Sequence, residues 1–304
     1  MSDRPQLLPT LAAVLATVLG GSAIVATRLA LGDGEPDALV FSVLRYVGAS
    51  IVMVAIAFAT LGRRFRIIGP GLVPVMALGV LQYALFGWLF TASSHYMPAA
   101  RGGLIFATMP ILTLGLSVLL GRERLTVAKT VGAALACGGV AFALGEGALV
   151  TGPEVWKGDL MMFGAALAGS TYNVLSGIYL RNMPALGMMA IQLPVGAAVL
   201  LAVFAVSGDL SELFALDAIE WGAAIYVATL GGAASFYLWI WALERIAPSR
   251  VAVTVTFNPV SATLLGALVL GEPLTWRMAV GLAGIVAGIT IANWPARQPA
   301  PASG

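Results

Sequence analysis

Charged side chains are scarce in this chain of 304 residues, and their scarcity limits its class. Asp, Glu, Lys and Arg make up 10% of the residues and hydrophobic residues 60%, whereas soluble domains have roughly 25% and about 45–50%. The formal net charge of +2 gives no strongly basic surface of the kind that binds nucleic acid. We therefore predict a membrane protein with no nucleic-acid partner.

Side chains for metal or nucleophilic chemistry are also rare. Cys137 is the one cysteine and His95 the one histidine, so the chain can form neither an internal disulfide nor a cysteine–histidine metal site. The sequence contains no phosphate-binding loop and no Ser-His-Asp arrangement, and no carboxylate lies deep in an apolar run. It therefore predicts no enzyme, no metal and no cofactor.

Long apolar runs are what the chain does have. A helix that spans a bilayer needs about 20 mostly apolar residues, and only helices satisfy the backbone of such runs in lipid. Ten runs meet this description: 8–31, 38–61, 71–94, 99–120, 127–144, 158–180, 186–206, 219–242, 248–270 and 275–293. We predict an all-α membrane protein with ten transmembrane helices.

One stretch occurs twice, at 101–139 and 250–288, with an offset of 149 and no gap. Pro110 falls on Pro259, and each copy continues into a Glu-x-Leu-Thr break before a glycine-rich run. The chain then divides into two five-helix repeats, 1–149 and 150–294, and a disordered tail at 295–304. Because five is odd, the second repeat is inverted relative to the first, as in many transporters.

Lys and Arg set the expected orientation, because they are enriched in cytoplasmic loops. With the N-terminus inside, eleven of the sixteen Lys and Arg fall in inner segments, three in outer segments and two inside helices. We expect a multi-pass protein of the cytoplasmic (inner) membrane with both termini cytoplasmic.

The motifs at these positions resemble those of a known family. They are Ser42-Val-Leu-Arg-Tyr, Pro110 with Glu123-Arg-Leu-Thr, and Asn258-Pro259 with Gly271-Glu-Pro-Leu-Thr. The chain is similar over 8–293 to the EamA family of ten-helix carriers in the drug/metabolite transporter superfamily. The resemblance implies a central cavity lined by helices one to four and six to nine, with helices five and ten outside as supports. It also implies export of small metabolites, often amino acids or related compounds.

Arg45 is the sharpest candidate for a binding residue. An arginine inside a helix costs about 2.5–3.5 kcal/mol on insertion scales, so it usually faces a cavity or a partner. It would bind a substrate carboxylate or gate the outer mouth. The alternative is that it extends to the outer interface, since it lies near the start of its helix.

Two prolines mark hinge candidates in the middle of apolar runs. Pro110 and Pro259 each remove an amide donor and release the carbonyl four residues back, at Phe106 and Val255. Those carbonyls could line the substrate site, and the bends could act as hinges. A bend that only fits the bundle is the alternative.

Other polar and aromatic side chains complete the predicted cavity. Asn173 and Ser176 share a helix face that contacts either a neighbouring helix or the cavity. Trp239 and Trp241 are interpreted as an interface belt. The remaining cavity predictions are Gln82, Tyr83, Trp88, Gln192, Tyr237 and Asn258.

Small and capping residues are interpreted as structural. Glu123 and Glu272, with Thr126 and Thr275, suit helix N-termini. Gly284 and Gly288 form a GxxxG pair that could pack within the chain or against a second copy, so a homodimer is possible.

The preferred hypothesis is a secondary transporter that exports small polar metabolites by alternating access. The same design could work as an importer or an exchanger. A passive channel or scramblase would need a continuous polar path. A membrane enzyme acting on lipid would need paired acids that are absent.

Overall fold

The computed structural model describes residues 7–31, 38–61, 71–145, 152–207, 211, 216–270 and 275–294. Over this part the chain is all-helical, which confirms the predicted class. Helices α1 to α7 are Leu7–Leu31, Ala38–Leu61, Leu72–Gly79, Phe86–Ser93, Ala99–Phe106, Met109–Leu119 and Val127–Leu144. Helices α8 to α14 are Val155–Tyr179, Ala185–Ser207, Ala218–Ala228, Ser235–Leu243, Pro248–Thr254, Phe257–Leu270 and Trp276–Ala292. The predicted disordered tail and the predicted capping residue Glu272 lie outside the described residues.

Several apolar runs are interrupted helices. A π-helical segment, Val80–Leu85, joins α3 to α4, and another, Thr229–Ala234, joins α10 to α11. Two non-helical residues separate α5 from α6 and α12 from α13. Pro110 and Pro259 lie in the first turn after these breaks, where a proline needs no amide bond. The sequence predicted one continuous helix bent at each proline, whereas the structure shows two helices with a break just before each proline.

The interruptions repeat along the chain. The two π segments are offset by 149 residues, the offset of the sequence repeat. Close contacts repeat as well, because a Cβ at Gly48 would lie 2.5 Å from Ala228 and a Cβ at Gly196 would lie 2.5 Å from Gly79. The two halves thus share local irregularities and the packing around them.

Ionic contacts tie the helix termini together at two ends of the bundle. At one end, the start of α5 meets the start of α8, where Arg101 contacts Asp159 at 2.6 Å. At the other, Lys129 of α7 contacts Glu123 at 2.5 Å, and Glu123 also binds Ser249 at the start of α12. We call these the Asp159 end and the Glu123 end.

Helices α7 and α14 pack through their glycines. A Cβ at Gly288 would lie 2.6 Å from the Ala136 nitrogen, and a Cβ at Gly139 would lie 2.7 Å from the Gly281 carbonyl. The predicted small-residue packing thus occurs within one chain. Neither helix contributes a described residue to the large cavity considered below.

Membrane-spanning character follows from length and composition. Among the described residues, eight helical stretches are long and apolar enough to cross a bilayer. Two further helices, α8 with 25 residues and α14 with 17, occupy the other predicted spans. The chain is a multi-pass membrane protein built from tandem helical repeats.

Adjacent glycines of α7 give a test of this packing. Gly139→Ala forces a Cβ against the Gly281 backbone, whereas Gly138 has nothing within 4 Å of its Cβ position. We expect Gly139→Ala to cost about 1–3 kcal/mol because of overpacking, and Gly138→Ala to be neutral or slightly stabilising. Thermal unfolding in detergent measures the difference. Equal melting of the two variants would contradict the close α7–α14 contact.

Candidate functional site

A cavity of about 440 Å³ lies inside the bundle. Its walls come from α1, α2, the π segment before α4, α4, α8, α10 and α11, with two residues from each of the broken runs α5–α6 and α12–α13. Its lining includes Ser94, which is exposed and lies just past the end of α4, so the cavity reaches the surface at the Asp159 end. No described residue of α9 lines it, although the resemblance implies eight lining helices.

Arg45 lies in the cavity wall and is held by the other repeat. Its Nη2 donates a hydrogen bond to the Gly231 carbonyl at 2.6 Å, and its guanidinium carbon lies 4.8 Å from the centre of the Phe236 ring. Its Nε is shielded and has no hydrogen-bond partner in the described part of the chain. None of the ion pairs between described residues includes Arg45.

The π segment explains how Gly231 can receive this bond. In an α-helix the Ser235 amide would bond to the Gly231 carbonyl, four residues back. Here the Ser235 amide donates instead to the carbonyls of Leu230 and Gly232, the former being the bond expected where a helix widens to the π form. The Gly231 carbonyl is therefore open to the Arg45 guanidinium, and the irregularity positions the cation.

Aromatic rings form much of the remaining wall. The rings of Tyr46 and Phe236 stack with centroids 5.6 Å apart, and Tyr83 contacts both of them. The Tyr83 and Tyr172 hydroxyl groups lie 3.4 Å apart and form the floor of the cavity. Both rings are almost completely buried.

Two amide side chains supply the other polar surface. Gln82 and Asn258 line the cavity, and the side-chain oxygen of each is covered and lacks a hydrogen-bond donor in the described part of the chain. An unsatisfied buried acceptor is costly. A donor group on a bound molecule would satisfy it.

Comparison with known proteins assigns the family. The model of the EamA-like transporter family matches residues 7–145 and again 156–294. The chain belongs to the EamA-like transporter family. This confirms the resemblance drawn from the paired motifs.

Relatives of the EamA-like chain match it over nearly its whole length. It is 27% identical to the uncharacterized transporter YoaV of Bacillus subtilis, covering 90% of this chain and 92% of that one. It is 26% identical to the uncharacterized inner membrane transporter YedA of Escherichia coli, covering 94% and 91%. A solved crystal structure matches with a TM-score of 0.80 at 23% identity, covering 93% and 96%, and shares the fold.

The structure divides the predicted site residues of this EamA-like protein into two groups. Five of them line the cavity: Arg45, Gln82, Tyr83, Phe106 and Asn258. Five others do not line it: Trp88, Asn173, Ser176, Gln192 and Tyr237. Trp88 and Tyr237 are partly buried against the core around Tyr46, and the other three are fully buried.

The carbonyls around the hinge candidates have partners close by. The Val255 carbonyl accepts from the Asn258 amide at 2.9 Å. The Ala107 carbonyl, one residue after Phe106, accepts from the Cys137 thiol at 2.8 Å. One carbonyl at each break therefore has a partner within the protein, as lipid requires.

Some cavity residues were missed from the sequence. Tyr46 and Tyr172 line the cavity, and the signal for Tyr46 was its position beside Arg45. Trp239 was interpreted as part of an interface belt. That interpretation is wrong, because its Nε1 donates to the Asn173 side chain at 2.9 Å and the residue lines the cavity.

The cavity does not reach the Glu123 end, where contacts between the repeats hold the bundle closed. The Glu123 side chain is 4% exposed; it accepts from the Ser249 amide at 3.0 Å and also from the Ser249 hydroxyl. Burial alone would raise the pKa of Glu123, but the hydrogen bonds from Lys129 and Ser249 outweigh it and lower the pKa. The carboxylate thus caps the start of α12 rather than that of its own helix α7, where Thr126 accepts from the Lys129 amide.

This contact predicts a pH-dependent stability. We expect Glu123→Gln to lose about 1.5–3 kcal/mol near neutral pH, because hydrogen bonds to a charged group are lost. The folded-state pKa lies below that of the unfolded chain, about 4.3. The stabilisation is therefore complete above that value and disappears as the pH falls through the folded-state pKa.

Thermal unfolding of both proteins at pH 7 and under acid conditions measures the effect. The difference between wild type and Glu123→Gln should narrow on acidification. Glu154→Gln is the control, because Glu154 pairs with Lys157 while 61% exposed and should change little. A difference independent of pH would show that Glu123 does not act through its charge.

Proposed function

We propose that this chain is a secondary active transporter that exports small polar metabolites, such as amino acids or related compounds, across the cytoplasmic membrane by alternating access. Membership of the EamA-like family supports a membrane transporter. The observation that carries the finer proposal is a cavity, closed at one end, whose Arg45 forms no ion pair with any carboxylate among the described residues.

The proposed architecture is ten spans in two inverted five-helix repeats, 1–149 and 150–294. The paired π segments and paired helix breaks support the repeat. The ends support the inversion: Glu123 follows α6 in the first repeat, and Ser249 begins α12, which is the counterpart of α5 in the second. The end of the α5–α6 run thus lies beside the start of the α12–α13 run, which is its counterpart in the second repeat. Matching runs that point in opposite directions are what an inverted repeat requires.

The proposed orientation places both termini in the cytoplasm and the Asp159 end outside. The bias of Lys and Arg toward the segments at the Glu123 end supports it. The cavity is then open to the outside, in the state from which an exporter releases substrate. An importer or exchanger would use the same cavity in the reverse sense.

The cavity chemistry favours a carboxylate substrate with an apolar body. Arg45 presents a cation that can form paired hydrogen bonds with a carboxylate. The oxygens of Gln82 and Asn258 can accept from an ammonium or hydroxyl group. The stacked rings of Tyr46 and Phe236 give a flat apolar wall for the rest of the molecule.

A passive channel fits the geometry less well. The contact of Tyr83 with Tyr172 closes the floor, and the Glu123 contacts close the far end. A pathway with one closed end supports gated transport rather than free diffusion, and its flux should saturate with substrate.

Arg45→Ala tests the proposal. We expect it to abolish export while the protein still inserts in the membrane, because the cavity would lose its only described cation. Untargeted analysis of spent-medium metabolites compares cells that express wild type and Arg45→Ala at matched membrane levels. A compound enriched with the wild type alone is the expected result.

Matched controls separate charge from geometry. Arg45→Lys keeps a positive charge but loses the paired geometry, so it should retain only part of the export. Arg245→Ala removes an arginine that contacts Glu244 and Trp241 away from the cavity and should export normally. Normal export by Arg45→Ala would show that Arg45 is not needed for substrate binding and has a structural role only.

A further inference from the structure

Three polar side chains lie buried beyond the cavity floor. Asn173 and Ser176 of α8 and Gln192 of α9 are each 0% exposed, and none of them lines the cavity. Asn173 Nδ2 and Gln192 Nε2 have no hydrogen-bond partner in the part of the chain that the structure describes, and the Ser176 hydroxyl lies beside the Tyr172 hydroxyl of the floor. We call these three residues the buried polar set.

The set lies between the floor and the Glu123 end. The Tyr172 hydroxyl of the floor donates to Gln192 Oε1 at 2.9 Å, so the set begins where the cavity stops. Ser176 is one turn further along α8 and three residues before its end. A Cβ at the next residue, Gly177, would lie 3.8 Å from Pro248 at the start of α12.

Unsatisfied donors at this depth need an explanation. Inside a lipid bilayer no outside water can reach a buried polar group, so leaving the two amide groups of Asn173 and Gln192 without partners is costly. Apolar side chains would fill the same space without that cost. The set is therefore best explained by a state of the protein in which water or a ligand reaches it.

The repeat shows which state that is. The large cavity at the Asp159 end is walled by α1, α2 and α4. Their counterparts in the second repeat are α8, α9 and α11, which carry the buried polar set and the Trp239 bond to Asn173. An inverted repeat can exchange the roles of its halves at the level of whole helices, which opens a cavity at the opposite end. The lining residues of the two cavities then differ, because at an offset of 148 Asn173 and Gln192 fall on Val25 and Leu44, which do not line the cavity at the Asp159 end.

We propose that the buried polar set lines the substrate path at the Glu123 end when the cavity at the Asp159 end is closed. This inference rests on the proposed transport function. Opening requires that the Tyr83 and Tyr172 hydroxyl groups separate, because their contact forms the floor between the cavity and the buried polar set. It also requires that the hydrogen bonds between Glu123 and Ser249 break.

The chemistry of the set matches the same substrate class as the cavity. Two amide N–H groups and one hydroxyl can donate to carboxylate oxygens, as Arg45 does on the other side of the floor. Neutral donors bind a carboxylate less strongly than a guanidinium. The path therefore offers a weaker binding site, from which the substrate carboxylate can pass to Arg45 or which it can reach from Arg45.

Accessibility to a thiol reagent tests the path directly, because Cys137 is the one native cysteine. In a Cys137→Ser background, Ser176→Cys and Gln192→Cys are treated separately with a charged, membrane-impermeant maleimide. Vesicles of each orientation present either the Glu123 end or the Asp159 end to the reagent. Val174→Cys is the control, since Val174 lies at the same depth on α8 and is 2% exposed.

We expect both test cysteines to react from the Glu123 end at least tenfold faster than Val174→Cys, and slowly from the Asp159 end. Adding Glu123→Gln, which loosens the closed end, should raise their rates further. Two positions on different helices guard against one variant that fails to fold.

Test cysteines that stay as unreactive as Val174→Cys, or that react from the Asp159 end, would overturn the inference. The metabolite measurement separates this failure from failure of the proposed function. If the protein exports a metabolite but the test cysteines are not labelled, the proposed transport function stands and the proposed path is rejected. If no metabolite is exported, the result counts against the transport function itself.

Discussion

A helix can break inside a lipid bilayer only where its released backbone groups find partners within the protein. This requirement organises the structure around its cavity. Side chains donate hydrogen bonds to three such carbonyls. The Cys137 thiol donates to Ala107, and the Ser170 hydroxyl donates to Met109. The Arg45 guanidinium donates to Gly231. The interruptions therefore face inward, and the polar groups that satisfy them give the bundle a polar interior. The site is a consequence of how the backbone is satisfied.

The scaffold is repeated, but the arginine in its cavity is not. Both halves carry a π segment at the same offset. The second helices align at an offset of 148, where Val47-Gly48-Ala49 falls on Val195-Gly196-Ala197, and at that offset Arg45 matches Leu193, which is fully buried. A symmetric pair of arginines would place two cations near one cavity, at a high cost of desolvation. Under the proposed function, the single Arg45 would serve as one anion-binding point that substrate reaches from either end of the pathway.

The sequence predicted the features that depend on local chemistry. Apolar runs gave the helical class, and the motifs at Pro110 and Pro259 gave the family, because lipid allows few alternatives for such runs. Arg45 was predicted to line the cavity because an arginine inside a membrane helix is costly unless it faces a cavity or a partner. The positions of Asn173 and Gln192 beyond the floor, and of Trp239 inside the protein, depend on helix rotation and on helix breaks of two residues. Neither leaves a periodic signal in so apolar a chain, and the identity of the carbonyl that Arg45 binds depends on contact between the halves.

The two kinds of helix contact suit parts that move and parts that do not. Separating α7 from α14 would expose backbone that packs within van der Waals distance through Gly132 and Gly288, and nothing in lipid would replace those contacts. The end contacts of Glu123 and Asp159 are both ionic, but Arg101 and Asp159 are partly exposed to water, whereas the Glu123 side chain is almost completely buried. Water solvates both partners after they separate, so such pairs contribute only about 0–1 kcal/mol where they are exposed. In the proposed transport cycle, the Glu123 contacts close one end of the pathway and the glycine-packed helices α7 and α14 support it from outside, so that end would open while the supporting pair stays intact.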